Sequence, residues 1–157
     1  MTPAESQVPS GECVVRVVKP KYHCDPAHHL TKRAFQPARG ASSVSVLRHT
    51  MLGSTECKRI AVHIIAPEDC GGLAGAMAEV VTLLGVHVVD RPVAQYDGHA
   101  EIEYGIRRPE DAEPLDPQSS ARLNDLMTQL ARRFVYLMDP DVASPVWKGP
   151  APCGAPT

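Results

Sequence analysis

Histidine, cysteine and aspartate crowd together once in this chain, at Tyr22-His23-Cys24-Asp25 and His28-His29. Imidazole, thiolate and carboxylate all ligate zinc. The spacing matches no closed zinc site, and Pro26 breaks the helix that would put His23 and His28 on one face. The segment therefore reads as a solvated loop with no bound metal. Cys70 precedes Gly71-Gly72 at the expected start of a helix, where backbone N–H groups favour a thiolate. Glu68 and Asp69 act against that charge, so the reading is a structural thiol. The glycine pair belongs to neither G-x-x-x-x-G-K nor G-x-G-x-x-G, so it reads as a tight strand-to-helix turn rather than a phosphate loop.

A second constellation has more chemistry in it: Arg16, then Ser43-Val44-Ser45, then Glu101-Ile102-Glu103. It resembles the Arg, Ser-x-Ser, Glu-x-Glu pattern of one clan of ADP-ribosyltransferases. The resemblance implies that Arg16 grips the phosphate of an NAD cofactor and that Ser43 and Ser45 order the nicotinamide side. The last glutamate would stabilise the positive charge developing on the ribose, as a carboxylate can. The bland reading makes all five outward polar positions of strands. A wider resemblance runs from Arg16 to Gly105, carried by R-V-V-K-P, A-F-Q-P-A-R-G-A-S-S-V-S-V, L-G-V-H-V-V-D-R-P and G-H-A-E-I. These motifs are similar to a loose group of small bacterial proteins found beside conflict or defence genes, and that group implies no particular activity. The His99-Ala100-Glu101 corner and the Ala34-Phe35-Gln36-Pro37 turn match it best. Phe35 and His99 are accordingly the expected substrate-binding residues.

The elements that must position these residues follow from periodicity. Glu12–Lys19 is β-branched and ends at Pro20, and Ser43–Val46 alternates, so both read as strands. Arg59–Ala66, nearly all apolar, reads as the central strand. Leu73, Ala76, Met77, Val80, Val81 and Leu84 keep helical spacing before Gly85, which predicts a helix over Gly72–Leu84. With Val86–Val89 as a strand, the three elements form a right-handed crossover. A fifth strand is expected around His99–Ile106. Asp116-Pro117 is an N-cap and N1 pair for a long helix over Gln118–Met138. The expected fold is therefore α+β: one domain over 12–139, a mixed sheet of about five strands and two main helices. A flexible N-terminus (1–11) and a disordered proline-rich tail (140–157) flank it.

Composition narrows function mainly by exclusion. The 157 residues are 43% hydrophobic but only 4% aromatic, and the formal net charge is −2. Neither a base-stacking platform nor a basic footprint for nucleic acid emerges, and no apolar run approaches the roughly 18 residues of a membrane span. The N-terminus lacks a secretory pattern, so a cytoplasmic location is expected. Five widely spaced cysteines with no Cys-x-x-Cys argue against a disulfide framework. The expected role is an accessory or binding component of a defence-type operon without cofactor, the alternative being an NAD-using transferase. A protein partner or second copy would dock on the 118–138 helix.

Overall fold

The computed structural model describes residues 5–154. Six strands make one sheet: β1 Cys13–Val18, β2 Ser43–Arg48, β3 Gly72–Met77, β4 His87–Asp90, β5 His99–Glu103 and β6 Val135–Met138. Their order is β4-β5-β2-β1-β3-β6, and every neighbouring pair is antiparallel. The helices are α1 Pro20–His23, α2 His49–Leu52, α3 Ser54–Ile60, α4 Ala78–Thr82 and α5 Pro117–Arg133. No helix among the described residues is long and apolar enough to cross a membrane.

Strand alternation sends side chains to two cores. Val14, Val18, Val44, Val46, Ala74, Ala76, Ala100 and Ile102 face α5, whose Leu123, Leu126, Met127 and Leu130 cover them together with Phe35 and Phe134. Cys13, Val15, Val17, Leu47 and Leu73 face the other way, against Cys57, Ile60, Ala61 and Ala66. Helices thus close both faces of the sheet, which is why β1 and β3 are apolar on both sides and show little alternation.

The α+β class and single domain hold, with six strands rather than about five. The sheet is not mixed in direction, and the expected crossover is absent because its first strand, Arg59–Ala66, is helical and every neighbouring strand pair is antiparallel. Arg59–Ala66 is not a strand: it completes α3 and continues as a π-helical turn over Ala61–Ile65. Cys57, Ile60 and Ala61 stand at i, i+3 and i+4, and packing that stripe on the sheet outweighs the β propensity of Val62, Ile64 and Ile65. Gly72–Leu84 is not one helix either. Its first half is β3, buried on both faces, and only Ala78–Thr82 is helical before Gly85 turns the chain at φ +88°. The Gly71 backbone lies so close to the Pro20 ring that a Cβ there would collide with it.

The long helix starts as expected, with the Asp116 carboxylate accepting from Ser119 N at 2.9 Å, but it stops at Arg133. Val135–Met138 is then β6. Phe134, at the end of the helix on which a partner was expected to dock, is buried with its ring 4.8 Å from that of Phe35. The apolar stripe of α5 is therefore spent on the protein's own core.

Both expected loose ends, as far as they are described, pack on the domain. Val8 is buried, and Gln7 bridges Val89, extending the sheet beyond β4. Residues 140–154 return across the second core, where Trp147 packs, Pro152 is buried and Cys153 is disulfide-bonded to Cys13. Cysteine spacing could not reveal that bond, because its partners are 140 residues apart. Most cytosols keep such thiols reduced, so the bond lends no support to a cytoplasmic location.

Candidate functional site

β1 and β2 are in register only at Val14↔Arg48 and Val15↔Leu47. Beyond these pairs the two strands part, and the Arg16 guanidinium takes the place of the missing ladder. Its Nε donates to Ala34 O and its Nη1 to Ser45 O, both at 2.8 Å. A cleft of about 350 Å³ opens there, walled by α1, the turn around Gln36-Pro37 and the backbone of 43–45.

This cleft is cationic. Arg16, Arg33 and Arg108 line it with Tyr22 and His23, and no aspartate or glutamate is among its lining residues. Arg108 Nη1 donates to Pro37 O at 2.9 Å, again a backbone carbonyl. Among the described residues none of the three arginines forms an ion pair. Arg16 is half-buried, and burial lowers its pKa, yet a guanidinium stays charged at any ordinary pH. A charge taken out of water without a counter-ion is costly, and the carbonyl dipoles only partly offset that cost.

His23 senses the same field. Its Nδ1 accepts from Lys19 N at 3.0 Å, and burial together with the positive charges of Arg16, Lys19 and Arg33 pulls its pKa down to about 4. Because the folded pKa is depressed, His23 contributes stability that is fully present above the unfolded value near 6.5 and is lost as pH falls toward 4. A pH series of urea midpoints is expected to fall over that window by the equivalent of about 3 kcal/mol from this group. In His23→Asn, whose carbonyl oxygen can accept from Lys19 N, that part of the slope disappears.

The structure divides the residues singled out in the sequence. Arg16 shares the cleft with Ser43 and Ser45. Glu101, Glu103 and His99 do not line it, because alternation turns them to the opposite face of the sheet from the Arg16 side chain. There Arg91 collects the carboxylates: Nη1 lies 2.6 Å from Glu101 Oε1, Nη2 2.9 Å from Glu103 Oε1, and Nε 2.6 Å from Glu5 Oε2. These bonds raise the Arg91 pKa and help lower that of Glu103. Ser43 Oγ donates to Glu101 at 3.0 Å.

Ser45 Oγ lies 3.1 Å from His99 Nε2, and His99 Nδ1 donates to Arg91 O at 2.6 Å. This is the geometry of an oriented Ser–His pair. On the side that the hydroxyl faces, however, the space between β1 and β2 amounts to about 10 Å³, room for one water and no substrate. The network is satisfied within itself. Phe35, expected to touch substrate, is fully buried in the first core, and its carbonyl accepts from Tyr104 Oη at 2.6 Å. Its neighbours Gln36, Pro37 and Ala38 are the ones that line the cleft.

Cys70 precedes a strand rather than a helix, its thiol is near Gly72 O, and burial pushes its pKa up. Among the described residues no three His, Cys, Asp or Glu side chains gather as a metal site. Arg33 and Arg108 were missed by the sequence reading, and His23 was singled out there only as a possible zinc ligand. They sit far apart along the chain and meet only through folding, and a net charge of −2 hides their local excess. A comparison with protein-family models, curated proteins and solved structures finds no match to the chain. The site thus belongs to an α+β domain defined by its own geometry: a split antiparallel sheet with an arginine-lined cleft at the split.

Proposed function

We propose that this protein is a non-catalytic binding protein whose cleft between β1 and β2 takes a small anionic ligand. The observation that carries the reading is the half-buried Arg16 guanidinium, held by two backbone carbonyls with no carboxylate partner and accompanied in the cleft by Arg33 and Arg108. Arginine forks match the oxygens of phosphate and carboxylate, and an arriving anion would offset the desolvation already incurred by Arg16. The resemblance to proteins beside defence genes suits an accessory, ligand-sensing role in such an operon. An ADP-ribosyltransferase would need a carboxylate facing the arginine, and here Glu101 and Glu103 are engaged by Arg91. The binding reading is the more economical of the two.

Calorimetric titration with inorganic phosphate at low ionic strength tests it. Wild-type protein is expected to bind saturably at one site. The Arg33→Ala/Arg108→Ala double variant, which loses two charge-assisted contacts, is expected to bind at least about tenfold more weakly. Saturable binding of equal strength in both proteins would place the anion elsewhere and refute the assignment.

A further inference from the structure

The cleft has a neighbour on the far side of Arg108. Gln36 and Arg108 also line a second cavity of about 300 Å³, between the 109–115 loop and the N-terminal half of α5. Its chemistry differs from that of the first. Its apolar lining is Leu115 with the buried Leu123 and Met127, and its polar lining includes the exposed Arg39, Asp111 and Glu113 together with Asn124. Asp111 and Glu113 stand here beside Arg39, with Arg108 shared with the first cavity, so this end offers no excess of positive charge.

It is rich in hydrogen-bonding capacity instead. Asn124 Oδ1 accepts from Lys32 Nζ at 2.9 Å, which leaves the amide N–H groups of Asn124 to donate. Asp111 Oδ1 accepts from Glu113 N at 3.1 Å, and Arg39 Nη1 donates to Asp111 O at 2.8 Å, so each side chain keeps further groups for a ligand. No aromatic residue lines the cavity, so it offers no platform on which a nucleobase could stack. An alkyl body would cover the apolar lining but leave the donors and acceptors of the polar lining desolvated and unpaired. A polyhydroxylated ring does both jobs: its C–H face suits the small apolar lining, and its hydroxyls donate to carboxylates and accept from amide and guanidinium groups.

We infer that one ligand spans the two adjoining cavities and that it is a sugar phosphate, its phosphate on Arg16, Arg33 and Arg108 and its sugar in the second cavity. The inference rests on the anion-binding reading above and adds the identity of what the anion is attached to. Titration with four probes tests it: inorganic phosphate, hexyl phosphate, ribose 5-phosphate and glucose 6-phosphate. At least one sugar phosphate is expected to bind about tenfold or more tightly than inorganic phosphate, and hexyl phosphate is not. Ser120 lines the second cavity and not the first, so Ser120→Trp, which fills the second, should erase that gain and leave the affinity for inorganic phosphate unchanged. Glu113→Gln, on an exposed loop, should reduce the gain without any disturbance of α5. Equal affinity for inorganic phosphate and both sugar phosphates, or hexyl phosphate matching the sugars, would overturn the inference while leaving the anion site standing. Binding of none of the four would remove the anion site and the inference with it.

Discussion

Lys58→Ala is expected to destabilise the protein by about 3–5 kcal/mol, through loss of a buried ion pair that also holds the tail. The Lys58 ammonium lies 2.8 Å from Asp139 Oδ2, with both side chains only 4% exposed. It also donates to Asp141 O at 2.8 Å and to Val146 O at 3.1 Å. All three of its protons are therefore used, and two of them reach the returning tail. Removing the lysine leaves a carboxylate buried without a counter-ion and frees two carbonyls of the segment after β6. Urea unfolding of Lys58→Ala, Asp139→Asn and the double variant measures this. The double variant should cost well under the sum of the two singles, because each single change already breaks the same pair. A loss below about 1 kcal/mol in Lys58→Ala would show that water reaches the pair and that the tail is loosely held.

The second large effect is expected at the Cys13–Cys153 bond. It closes a loop of 140 residues and so constrains the unfolded chain strongly; Cys13→Ser should cost about 2–5 kcal/mol. Thiol counting under non-reducing denaturation should find three free groups, Cys24, Cys57 and Cys70, with two more appearing after reduction. Five reactive thiols before reduction would contradict the bond and leave the tail to the Lys58 contacts and Trp147. Deleting residues 145–157 should then be costly in either case, since Trp147, Pro152 and Val146 O all contact the domain.

Much of the fold could be read from local pattern, and the failures share a cause. β1, β2, β4, β5 and the start of α5 carry their own signals: β-branched runs, alternation, and an Asp-Pro cap whose carboxylate makes the expected bond. β3 and the end of α3 exchanged types because both faces of β3 are covered and the π-helical turn that continues α3 carries Val62, Ile64 and Ile65. Burial from two sides erases the period that separates strand from helix. The tail was misjudged on composition, since a lysine pair, a tryptophan and a disulfide hold it where apolar content alone would not.

The candidate site was half legible. Arg16 and the 43–45 strand stood out by residue type, and the turn after Phe35 contributes to the cleft. The sheet's alternation then separates Arg16 from Glu101 by a whole face. No local signal in β1 or β5 states which face is which until the pairing of both with β2 is known. Arg33 and Arg108 look like ordinary surface charges in sequence, and only the parting of β1 from β2 makes them neighbours of Arg16.

The central claim, that an oxyanion occupies this cleft, is tested most directly at His23. Its imidazole is kept neutral by burial and by the unbalanced charges of Arg16, Lys19 and Arg33, with a pKa of about 4. Sulfate keeps its charge throughout the relevant pH range. The titration of His23, followed by NMR in sodium sulfate and in sodium chloride of matched ionic strength, therefore isolates occupancy from screening. The account predicts a higher His23 pKa in sulfate, with the rise saturating as sulfate is added and vanishing in the Arg33→Ala/Arg108→Ala variant. Superimposable His23 titration curves in the two salts would contradict it.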